Sequence, residues 1–153
     1  MAEPLPTKDV ITEINSQWDA AGSGITKPTL IEVEGTGTDS TRDPIRYDLN
    51  KGDVLIIRPG SPGFEEEPIG NWTYGNRTYN VLSEIHTRID RQRLYNIMGE
   101  IRRICHVRKH SLTNFQRLQF MSFTEETNEN VHIWSGSVNI QLINQMVLLE
   151  TAN

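Results

Sequence analysis

The chain has 153 residues, a length that fits one domain over 1–153 and leaves little room for a second. It is 36% hydrophobic and 23% charged, which suits a globular protein and argues against a disordered tail. No apolar run approaches the ~20 residues that span a bilayer, so no membrane partner is expected. A net charge of −5 speaks against a general nucleic-acid binder, and the lone Cys105 excludes an internal disulfide.

Residues 7–18 read as a helix, with Thr7 as N-cap after Pro6, Asp9 in the first turn, and Val10, Ile11, Ile14 and Trp18 on one stripe. The stretch AAGSG at 20–24 ends it. Residues 29–34 (TLIEVE) alternate as a strand, and a long polar loop is expected over 35–52. Residues 53–58 (DVLIIR) form a continuous apolar run, the mark of a buried strand, which Pro59 and Gly60 are expected to stop. A second long loop then runs to about Asn76, carrying Glu65, Glu66, Glu67, Trp72 and Tyr74.

Residues 78–87 (TYNVLSEIHT) form a strand with Tyr79, Val81 and Ile85 on one face and Leu82 on the other. Asp90 caps a long amphipathic helix reaching about Arg108. Its apolar stripe is Leu94, Ile97, Met98, Ile101, Ile104 and Cys105, and its polar side carries Arg91, Glu100, Arg102, Arg103 and Arg108. A hairpin closes the chain. Its first strand is 115–124, with Phe115, Met121 and Phe123 on one side and Leu118 and Phe120 on the other. A polar turn follows at 125–130, then a return over 131–134 and 138–149 that Gly136 interrupts as a bulge. The expected class is α+β: an antiparallel or mixed sheet with one long amphipathic helix packed on a face, an N-terminal helix and long loops.

The residues offer little chemistry. Cys105 lies on the apolar stripe and reads as core, and there is no G-x-S-x-G elbow. His106 and His110 stand four apart but enclose Val, Arg and Lys, whose cations repel a metal. They read as helix-end histidines beside terminal carbonyls. His86 and His132 fit solvent-facing strand positions. Gly35-Thr-Gly37 lacks the third glycine and the helix of a phosphate cradle. The paired carboxylates Glu65–Glu67 and Glu125–Glu126 read as solvated loop faces. No catalytic residue, cofactor or metal is therefore expected. The opening MAEPLPTKD has no secretory leader pattern, so folding in a cytosol is expected, and the glycosylation patterns at Asn71 and Asn76 are chance matches.

Charge is distributed in blocks. Residues 1–76 carry −7, residues 77–124 carry +6 and residues 125–153 carry −4. Such blocks suit a basic surface of one subunit meeting an acidic surface of another. The arginine-rich face of the long helix also admits a rival reading, a small nucleic-acid-binding regulator whose arginines track phosphates.

The strand–turn–helix TYNVLSEIHTRIDRQRLYNIMGEIRRI, followed by a hairpin ending HIWSGSVNIQLI, resembles the tail-terminator (tail-completion, gpU-like) proteins of long-tailed phages and related archaeal viruses. The early strand at 53–58 and the N-terminal helix also suit that family, and the resemblance spans most of the chain. It departs from shorter family members in its two long loops. The resemblance implies a homo-oligomeric ring, a hexamer, assembled in the host cytoplasm and residing in the virion between tail tube and neck. Its partners would be the tail-tube protein and the neck and connector proteins, and DNA would pass through without specific binding. A stopper or adaptor of the neck shares the same assembly logic. In such a ring Trp72 and Tyr74 would order the second loop against a neighbour. Arg102 and Arg103 would meet carboxylates across the interface, and Glu125, Glu126 and Glu129 would sit at a hairpin tip facing a partner or the lumen.

Overall fold

The computed structural model describes residues 5–32, 53–69 and 74–147. The expected loop over 35–52 lies outside them. In chain order the described elements are α1 (Pro6–Gln17), β1 (Thr29–Glu32), β2 (Val54–Ile69), β3 (Tyr74–Thr87), α2 (Arg91–Val107), β4 (Arg117–Glu125), a 3-10 turn (Glu129–Val131) and β5 (Trp134–Val147). The strands form one mixed five-stranded sheet in the order β1-β2-β3-β5-β4. β1 runs parallel to β2, and every other neighbouring pair is antiparallel. The class is α+β.

Both helices pack on the same side of the sheet. Val10 and Ile14 of α1 and Leu94, Ile97, Ile101 and Cys105 of α2 share one core with Leu55, Ile57, Val81, Ile85, Val138, Ile140 and Leu142, all on one sheet face. Burying these branched side chains contributes about 1.5–3 kcal/mol apiece. On the opposite face, Ile31, Val54 and Ile56 make a small second cluster. The continuous apolar run of β2 is thus used on both sides.

α1 begins one residue earlier than expected. Leu5 is its N-cap, with no side-chain cap bond, and Pro6 occupies the first turn, where its missing N–H costs nothing. Thr7 is therefore inside the helix and buried, not at its cap. At the other end Asp19 adopts φ 57°, a left-handed geometry that Asp tolerates. Its carboxylate accepts from Ser23 Oγ (3.1 Å) and Gly24 N (2.9 Å) and so closes the turn. The capping role of Asp90 holds, since its carboxylate accepts from the Arg93 amide at 2.7 Å.

Other expectations change. First, Pro59-Gly60 does not stop β2. The strand continues to Ile69, and the ladder absorbs the interruption as a register shift between Pro59 and Phe64. Gly60 is required there, because an added Cβ would stand 2.8 Å from the Cβ of Asn80. Most of the second long loop is thus strand. Second, β5 runs through Gly136 unbroken, and the irregularity lies on β4 between Phe120 and Ser122. That shift turns Leu118, Phe120 and Phe123 all toward the helices instead of separating them. Third, Glu100 is not on a solvated face. It is 2% exposed, and His132 sits in a turn at φ 53° rather than in a strand.

Candidate functional site

β2, β3 and β5 outrun the helices. Beyond Pro59, the pairs Phe64↔Tyr79 to Ile69↔Tyr74, continued by β5 to Val147, build a tongue that β4 flanks only as far as Arg117↔Ile143 and that is three-stranded from Glu66 on. Phe64 and Glu66 alternate onto the helix side, yet Phe64 is 46% exposed and the Glu66 side chain 40%, because the helices do not reach them. The Phe64 ring leans on Tyr79 (5.0 Å between centroids), which in turn meets Phe115 edge-on. Glu66 pairs with Arg77 at 2.8 Å. Glu65 and Glu67 point to the opposite side and are exposed.

The face away from the helices is polar toward β4. A trough of about 420 Å³ runs over it, lined by Ser61, Glu65, Asn80, Ser122, Thr124 and Asn139 among others. Asn80 is buried in its floor. Its amide donates to the Pro62 carbonyl (2.8 Å) while its Oδ1 has no partner among the described residues. A smaller recess of about 240 Å³ lies between His110, Gln116, Arg117 and Gln145.

Beside the trough, Ser135, His86, Glu84 and Arg58 form a row. Ser135 Oγ lies 2.8 Å from His86 Nδ1, His86 Nε2 lies 3.7 Å from Glu84, and Arg58 reaches Glu84 at 3.2 Å. The residue types are those of a nucleophile, a base and an orienter, but the geometry differs. Glu84 neighbours His86 on the same strand, beyond hydrogen-bond length, and pairs with Arg58, while Ser135 is buried. The row acts as an electrostatic tie across β2, β3 and β5. His86 and, to a lesser extent, Arg58 hold the Glu84 carboxyl below its ordinary value. The hydroxyl of Thr127, with Arg91 and Tyr95, does the same for Glu125. A carboxyl with a depressed folded pKa stabilises the fold above the unfolded value, and that contribution disappears as pH falls through the folded pKa. Thermal melts between pH 7 and 3 should therefore show a steep acid loss below the ordinary value of 4.5. Glu84→Gln should show a shallower one, and an unchanged acid limb would refute the tie.

Cys105 is buried, and burial pushes its thiol up to about 12, far from a nucleophile's range. His110 Nδ1 lies 3.4 Å from the Gln116 carbonyl, and His106 is exposed. Among the described residues no group of three or more His, Cys, Asp or Glu side chains could hold a metal ion.

The candidate interface residues separate. Trp72 lies outside the described residues, and of Tyr74 and Glu129 only the backbone is described. Arg102 is exposed on α2. Arg103 is engaged within its own chain, donating to Glu100 and to the Gln17 carbonyl (2.6 Å). Glu125 is half-buried and ties β4 to α2, accepting from Arg91 (3.1 Å) and Tyr95 (3.0 Å) at the surface. Glu126 is exposed beside it. The sequence reading missed the internal use of basic side chains: Arg93 pairs with Asp53 (2.6 Å), Arg108 with Glu13 (2.7 Å) and Arg103 with Glu100. Each joins residues far apart in sequence or a carboxylate placed on the polar side of the long helix, so periodicity carried no signal of it. It also missed the tongue, hidden by Pro59-Gly60. No protein-family model and no curated protein matches this chain.

Proposed function

We propose that this chain is a subunit of a homo-oligomeric ring at the tail–neck junction of a long-tailed virus particle, where it terminates the tail tube and joins it to the head connector. It performs no turnover chemistry. The subunit form we assign is one long amphipathic helix laid on a sheet face. The observation that carries the reading is the tongue: three strands continue past the helices that should cover them and leave Phe64 open on the covered side of the sheet. A chain acting alone gains nothing from that overshoot, whereas a ring subunit needs an arm that reaches its neighbour. The polar trough and the edges at β1 and β4 add surface for tube and connector contacts.

The rival regulator reading weakens because Arg93, Arg103 and Arg108 are spent on internal carboxylates and no longer form a phosphate-tracking face. Light scattering on the purified protein, alone and with isolated tail tubes, should give a closed ring mass, and gel shifts at moderate salt should show no retained DNA. A strict monomer under both conditions would overturn the proposal. Electron micrographs of the particle separate a terminator from a stopper or adaptor.

A further inference from the structure

Resting on that ring reading, we infer that the contact closing the ring is head-to-tail: the acidic β2–β3 tongue of one copy lies along the outer flank of α2 in the next copy. Tyr95, Gly99, Arg102 and His106 follow one another at helical spacing and form one stripe on α2, and Lys109 lies in the turn just past its end. Arg102, His106 and Lys109 are exposed, and Tyr95 is partly open. The tongue presents Glu65 and Glu67, exposed on one side, and Phe64, open on the other. The two surfaces carry opposite charge and lie on different parts of the molecule, the condition for a heterologous contact that propagates around a ring.

Gly99 supplies an independent observation. It sits in the middle of a 17-residue helix, where glycine is disfavoured relative to almost any other residue. Nothing among the described residues requires it, since an added Cβ would meet no atom of theirs within 4 Å. Neither a positive φ nor close packing by the described residues explains it. A glycine on an open helix flank lets a second backbone approach more closely than any side chain permits, and the strands of the tongue offer such a backbone.

Two charge-reversed variants test the inference: Glu65→Lys/Glu67→Lys on the tongue and Arg102→Glu/Lys109→Glu on the helix flank. All four positions are exposed, so both variants should keep the wild-type circular dichroism. Each alone should associate at least about tenfold more weakly than wild type, because every junction then sets like charges together. An equimolar mixture should reassemble to the wild-type mass, because every alternating junction is complementary again. Gly99→Gln should keep the wild-type circular dichroism, since glutamine favours a helix more than glycine does, while blocking assembly. A wild-type ring that survives in both reversed variants, fails to re-form in the mixture, or tolerates Gly99→Gln would overturn this contact and leave the ring reading standing. A wild-type protein that is monomeric alone and with tail tubes would overturn both.

Discussion

Glu100→Ala is expected to cost about 3 kcal/mol of folding stability, which lowers the melting temperature of a chain this size by roughly 6–12 °C. The carboxylate is 2% exposed and binds groups from two other places in the structure. Its Oε2 accepts from the Asp19 amide at 2.5 Å, just past the end of α1, and its other oxygen accepts from Arg103 Nε. Arg103 donates in turn to the Gln17 carbonyl at 2.6 Å, within the last turn of α1. Truncating Glu100 leaves the Asp19 N–H without its acceptor and the Arg103 guanidinium with the Gln17 carbonyl alone, and so loosens the C-terminal end of α1 from α2. A thermal-melt cycle with Arg103→Ala checks the coupling. If the carboxylate and guanidinium act as one unit, the double variant loses clearly less than the two single losses added together. Simple additivity would show that they do not.

Gly136→Ala should be the second costly change, about 2–3 kcal/mol, from overpacking. The new Cβ would fall 2.4 Å from two ring carbons of Phe123 and 3.1 Å from the Thr124 carbonyl. Phe123 cannot simply swing away. Its other side meets Tyr95 of α2 edge-on at 5.4 Å, and Tyr95 donates to Glu125 at 3.0 Å. The bare backbone at Gly136 is thus the floor on which an aromatic pair fastens α2 to β4. Because the clash involves one ring, Phe123→Ala should rescue much of the loss in a denaturant-unfolding cycle. If Gly136→Ala remained as damaging with Phe123 removed, the ring would not be the cause.

Both changes bear on assembly through the same element. α2 is held at its N-terminal end by the Asp53–Arg93 pair and by Glu125, in its middle by Glu100 and toward its C-terminal end by Arg108 with Glu13. These contacts consume most of its basic side chains. They also hold the helix rigid enough that its remaining outward stripe keeps a defined shape, which a docking partner requires.

The sequence by itself determined what depends on neighbours within one or two turns of chain. The stripe of α2, the Asp90 cap, the Tyr79–Val81–Ile85 face and the buried run of β2 were all legible, because side-chain period and cap chemistry are local properties. Cys105 as a core residue followed from the same stripe. Tertiary structure decided the rest. β2 passes Pro59 and Gly60 because pairing with β3 outweighs the local breaker, with Gly60 admitting Asn80 at close range. Gly136 proved to be a seat for a ring on the adjacent strand rather than a bulge. Glu100 went inside because its amide partner lies 81 residues away and its arginine partner is positioned by α1. Arg103, Arg108 and Glu125, which looked like outward charge, found partners within the chain and stay partly exposed. A local pattern records which face of an element is polar. Whether a charge on that face meets water or a distant partner is an energy that exists only once the chain has folded.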